Sequence, residues 1–81
     1  MEEPKLKKNQ MAKCWHGFSY QIIEVSNDYD EIAKYDLNKA CKKDLLEYGP
    51  YDDAIYVAAR KIIDNQTYVF MCSRNSETLG D

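Results

Sequence analysis

A chain of 81 residues, 44% of them apolar, sets the scale of one small domain and excludes both a disordered chain and a second hydrophobic core. The formal net charge of −3 excludes bulk attraction of the folded part to nucleic acid or to an anionic membrane. The longest apolar runs are only a few residues, so no segment is predicted to span a membrane.

The charge is unevenly spread. Glu2 and Glu3 are outnumbered by Lys5, Lys7, Lys8 and Lys13, whereas nine acids face four lysines between Glu24 and Asp53. A basic arm therefore precedes an acidic middle. Cys14, Cys41 and Cys72 leave at least one thiol unpaired, which argues against a secreted disulfide scaffold. The first residues lack the apolar stretch and small-residue cleavage pattern of a secretion signal. A cytoplasmic location is expected. Nine Lys against two Arg, with frequent Asn, Tyr and Ile, is the residue usage of an AT-rich genome, as in a low-GC bacterium, its phages or some protists.

Residues 1–11 are polar and without periodicity, and read as a mobile basic arm. From Ala12 to Val25 the pattern alternates as in a strand, most clearly from Phe18 onward, with Gly17 suggesting a bulge or a close backbone approach. Ser26-Asn27-Asp28 ends that strand, and Asp28 with Glu31 resembles a capping box. Ala33, Leu37, Cys41, Leu45 and Tyr48 then follow helical spacing up to a stop at Gly49-Pro50. Asp36 is also placed to cap a second, shorter helix, which would break the first near that residue. A further helix is predicted over residues 50–64, with Ile55, Ala58, Ala59 and Ile62 as its buried stripe and Asp64-Asn65 as its end. Gln66 to Arg74 reads as a strand, and residues 75–81 as a frayed tail.

The predicted fold is a small single α+β domain over residues 12–74, in β-α-α-β order, with antiparallel strands packed on two helices. A two-stranded sheet leaves both edges open, so the arm, a second copy or a partner is expected to supply a further strand.

Reactive groups are sparse. Cys14, His16, Cys41 and Cys72 match the ligand count of a closed zinc site, but the chain lacks a C-x-x-C chelate, and buried small hydrophobes explain Cys41 and Cys72 as well. No metal or other cofactor is assigned. His16 is the only histidine and has no orienting partner in view, and the acids at Asp28, Asp30, Glu31, Asp52 and Asp53 are explained by capping and helix dipoles. The three glycines are isolated, so no phosphate-cradling loop is present.

The function expected is therefore a non-enzymatic protein–protein binding domain that occupies the surface of a larger protein or complex. Size, the lack of catalytic residues and the residue usage together suggest, by analogy, a phage or mobile-element inhibitor of a host defence or regulatory complex, acting in the host cytoplasm. Tyr29, Tyr48, Tyr51, Asp52, Asp53 and Tyr56 are the candidate partner-binding residues, centred on the Tyr48–Asp53 corner, and an open sheet edge also allows a homodimer. The alternative is a small nucleic-acid-binding regulator that uses Lys5, Lys7, Lys8, Lys13 and Trp15.

Overall fold

The computed structural model describes residues 4–50 and 52–80. The chain forms β1 (Met11–Lys13), β2 (Ser19–Ser26), α1 (Tyr29–Ile32), a 3-10 turn (Ala33–Tyr35), α2 (Ala40–Tyr48), β3 (Ala54–Lys61) and β4 (Thr67–Ser73). The strands make one antiparallel sheet in the order β1-β2-β3-β4, with the helices inserted between β2 and β3. The fold is thus a small α+β domain, with the order β-β-α-α-β-β in place of the expected β-α-α-β.

Two corrections account for the difference. The single strand expected over residues 12–25 is a hairpin: Cys14 N–H donates to Phe18 O (3.0 Å), Gly17 N–H donates to Cys14 O (2.8 Å), and Gly17 sits at φ 92° in the turn. The glycine therefore reverses the chain between two strands. The helix expected over residues 50–64 is β3 and the start of a second hairpin. Ile55, Val57 and Ala59 face one side of the sheet, and Tyr56 and Ala58 the other, all of them buried. A strand buried on both faces loses its period-two signature and reads as an apolar run, which periodicity alone does not separate from a helix. Asn65 does adopt the left-handed conformation (φ 59°), but in the turn where Asn65 N–H donates to Lys61 O (2.8 Å) and Lys61 N–H to Gln66 O (2.8 Å).

The helical layer breaks at Asp36. Asp28 caps α1, its side chain accepting from Asp30 N–H at 3.0 Å. Glu31 does not reach back to the cap as a capping box requires; it accepts from the Ser26 hydroxyl (2.7 Å), which itself accepts from Asp28 N–H (3.0 Å). Lys39 precedes α2 in a left-handed conformation and provides no side-chain cap. The buried Asp36 carboxylate takes that role, accepting from Lys42 N–H (3.0 Å), more weakly from Cys41 N–H (3.4 Å), and from the Tyr29 hydroxyl (2.6 Å).

Each face of the sheet has its own core. On one, Tyr29, Ile32 and Cys41 pack on Tyr56 and Ala58. On the other, Leu6 and Leu79 cover Tyr20, Ile22, Ile55, Val57, Ala59 and Cys72. Leu6 and Leu79, from the segments expected to be a mobile arm and a frayed tail, are 2% and 0% exposed. Among the described residues, no helix is long and apolar enough to cross a membrane.

Burial of Leu79 predicts that Leu79→Ala lowers unfolding stability by about 2–4 kcal/mol in urea titration, the usual cost of emptying a core leucine site. A loss below about 0.5 kcal/mol, typical of a surface substitution, would show that the tail does not dock in solution.

Candidate interaction surface

The sheet has two edges, and the sequence treats them differently. β1 is only three residues long, and its outer side is partly occupied: Leu79 N–H donates to Lys13 O at 3.0 Å. β4 is seven residues long, Thr67-Tyr-Val-Phe-Met-Cys-Ser73, with no charge, proline or glycine. Lysines, prolines and bulges are the usual means of blocking an edge, and β4 has none of the first two.

The pairing register identifies which backbone groups of β4 point outward. Lys61 N–H donates to Gln66 O and Arg74 N–H to Asp53 O, both at 2.8 Å, so the hydrogen-bonded pairs at the two ends of the hairpin are fixed. Antiparallel pairs alternate between bonded and non-bonded. Tyr68, Phe70 and Cys72 therefore bond to β3, and the N–H and C=O of Thr67 and Val69 turn away from it. Among the described residues, neither group meets a hydrogen-bond partner.

A groove of about 580 Å³ runs along this edge. Tyr68 to Met71 form its floor. One wall is the face of α2 that carries Ala40, Asp44 and Tyr48 at four-residue spacing. The helix ends at Gly49 (φ 74°), whose N–H donates to Leu45 O at 2.8 Å, and Gly49 and Pro50 close that end of the groove. Gly80 lines the opposite side, where a Cβ would lie 3.5 Å from the Phe70 ring.

The chain is acidic at the end of the groove closed by Gly49 and Pro50. From Asp44 to Asp53 the chain carries Asp44, Glu47, Asp52 and Asp53 and no Lys or Arg. The last turn of α2 also lacks a basic residue, so the negative end of the helix dipole is not offset there. Behind the wall, burial pushes the Cys41 thiol up to about 12, with the Asp36 and Asp44 carboxylates adding to the effect. Burial, and then the hydrogen bond to Asp36, likewise push the Tyr29 phenol up.

The predicted partner-binding residues separate into three groups. Tyr48 is 76% exposed and lines the groove, and Asp52 and Asp53 are exposed beyond Pro50. Tyr29 and Tyr56 are core residues instead, 6% and 5% exposed and packed edge-on with ring centroids 5.8 Å apart. Tyr51 lies outside the described residues. The β4 edge residues Thr67 and Val69 were not singled out from sequence. The signal for them was the absence of charge and proline in Thr67–Ser73, which becomes informative once β4 is known to be outermost.

Of the residues of the nucleic-acid alternative, Trp15 borders the groove, its ring 3.9 Å from where a Cβ on Gly80 would lie, whereas Lys5, Lys7, Lys8 and Lys13 do not line it. Lys5 Nζ lies 4.0 Å from Glu77 and Lys8 Nζ 3.7 Å from Glu24, both exposed pairs. Lys7 is exposed, and its N–H donates to Gln10 Oε1 at 2.9 Å. Lys13 is exposed on β1. Trp15 stacks on His16, with centroids 3.8 Å apart, in the β1–β2 hairpin turn. Cys14, Cys41 and Cys72 are all buried free thiols, and among the described residues no three His, Cys, Asp or Glu side chains converge as metal ligands. Comparison with protein-family models, curated proteins and solved structures returned no match.

The raised Cys41 value predicts an alkaline weakness. The unfolded thiol ionises near pH 9 while the folded one keeps its proton, so its contribution is complete below about pH 9 and is lost as pH rises toward about 12. Urea melts at about pH 8 and about pH 10.5 should differ by up to about 2 kcal/mol from this group, and Cys41→Ala should show the smaller drop. An equal drop in the two proteins would mean that Cys41 is not held protonated.

Proposed function

We propose that this chain is a non-enzymatic protein–protein binding domain that acts by occupying a surface of a larger protein partner. The observation that carries the reading is the groove along the outer edge of β4, walled by α2 and opened by the exposed ring of Tyr48. An exposed tyrosine beside a concave apolar floor has the composition of an interface anchor, because the ring gives contact area at little entropic cost. Asp44 lines the groove, and Glu47, Asp52 and Asp53 follow it closely along the chain; these acids favour a partner with complementary positive charge by steering and by rejecting acidic surfaces. The Tyr48–Asp53 corner and the sheet edge, two separate expectations from sequence, are in this reading parts of one surface.

The test is affinity capture from a host lysate treated with nuclease, comparing the wild-type chain with the double variant Asp44→Lys/Tyr48→Ala. Both positions are exposed, so stability should change by no more than about 1 kcal/mol. The expected result is a folded variant that loses a protein captured by wild type. A variant that captures every wild-type partner would remove the groove from consideration, and capture abolished by nuclease alone would favour the basic arm and Trp15.

A further inference from the structure

We propose that the occupant of the β4 groove is an extended, basic segment of the partner protein, added to the sheet as a fifth strand through the N–H and C=O of Thr67 and Val69. This rests on the binding role above and specifies the form and charge of what is bound.

Three observations converge. The first is backbone chemistry: Thr67 and Val69 direct donors and acceptors out of the sheet in strand geometry, which an extended chain satisfies. The second is length. The floor from Tyr68 to Met71 spans about 14 Å at the usual strand rise, enough for four or five residues of a partner strand. The third is charge. Side chains of an added strand alternate between the α2 side and the opposite side. Those on the α2 side meet Asp44, Tyr48 and the negative end of the helix, where Lys or Arg is favoured. Those on the other side meet Tyr68, Phe70 and Gly80, where apolar groups fit and the missing side chain of Gly80 leaves room. The ligand pattern is therefore basic at one parity and apolar at the other.

The same charge argues against a second copy as the occupant. Each copy would present its own Asp44 to an identical groove wall, with Glu47 on the same helix and Asp52 and Asp53 just beyond Pro50.

The test uses a display library of random peptides of about seven residues, slightly longer than the floor, selected on the full chain. Enriched peptides should carry Lys or Arg at alternate positions. N-methylation of the backbone amides that face β4 should weaken binding at least about tenfold, because it removes hydrogen bonds while keeping side chains. Val69→Pro should weaken binding similarly, since it deletes an outward N–H and leaves the bonds to β3 in place. Should that variant fail to fold, N-methylated peptides on the wild-type chain provide the same readout. Peptides that bind equally well after N-methylation, acidic consensus sequences, or no enrichment would each overturn the proposal. A dimer in sedimentation that dissociates on Val69→Pro would also overturn it, by making a second copy the occupant. If these arms fail while Asp44→Lys/Tyr48→Ala still loses its partner, the binding role stands and strand addition alone falls.

Discussion

The structure depends on β3 being buried on both faces. Ile55, Val57 and Ala59 on one side and Tyr56 and Ala58 on the other require two covering layers, a large demand on a chain of this length. One layer is the short helical segment between β2 and β3. The second is improvised from segments near the chain ends, with Leu6 and Leu79 as its anchors. Two flanking strands complete the pairing of β3, β2 on one side and β4 on the other. With both faces covered this way, the outer side of β4 is left without a paired strand among the described residues.

The helical layer is too short to be stable by itself. α1 has four residues and α2 nine, below the length at which isolated helices persist in water. Packing and one buried carboxylate compensate. Asp36 joins Tyr29 of α1 to the first amides of α2, so a single side chain sets the angle between the two helices and the position of the wall that α2 presents to β4. Breaking this carboxylate would leave a phenol hydroxyl and helix amides without partners in a buried site, a larger cost than the bonds themselves. The proposed interaction surface and the core are coupled at this point, since Asp44 and Tyr48 extend from the helix that Asp36 starts.

Local signals with a specific chemistry were legible in the sequence. The Asp28 cap, the Asp36 cap of a second helix, the Gly49-Pro50 stop, the left-handed Asn65 and the strand over Gln66–Arg74 each follow from a residue's own conformational or hydrogen-bonding preference. The stretch Ala54–Lys61 was not legible, because burial on both faces erases the alternation that marks a strand. Gly17 was noticed, but a glycine within an alternating run fits either a bulge or a reversal, and only pairing across the turn decides. The fate of Leu6 and Leu79 was hidden for another reason: a lone leucine in a polar stretch docks only if the fold leaves a place for it. Of the proposed interaction surface, the exposure of Tyr48, Asp52 and Asp53 was visible in the sequence as a turn rich in polar residues. The burial of Tyr29 and Tyr56 was not legible because tyrosine serves equally well at a surface and within a core, and the Thr67–Val69 edge required the strand order.

The most direct test of this arrangement is amide hydrogen exchange in the free chain under native conditions. Val57, central and bonded to β4, should exchange near the rate set by global unfolding, while Thr67 and Val69 should exchange orders of magnitude faster than Phe70 beside them. Equal protection of Val69 and Val57 would contradict the account, because it would mean that the outer side of β4 is already paired.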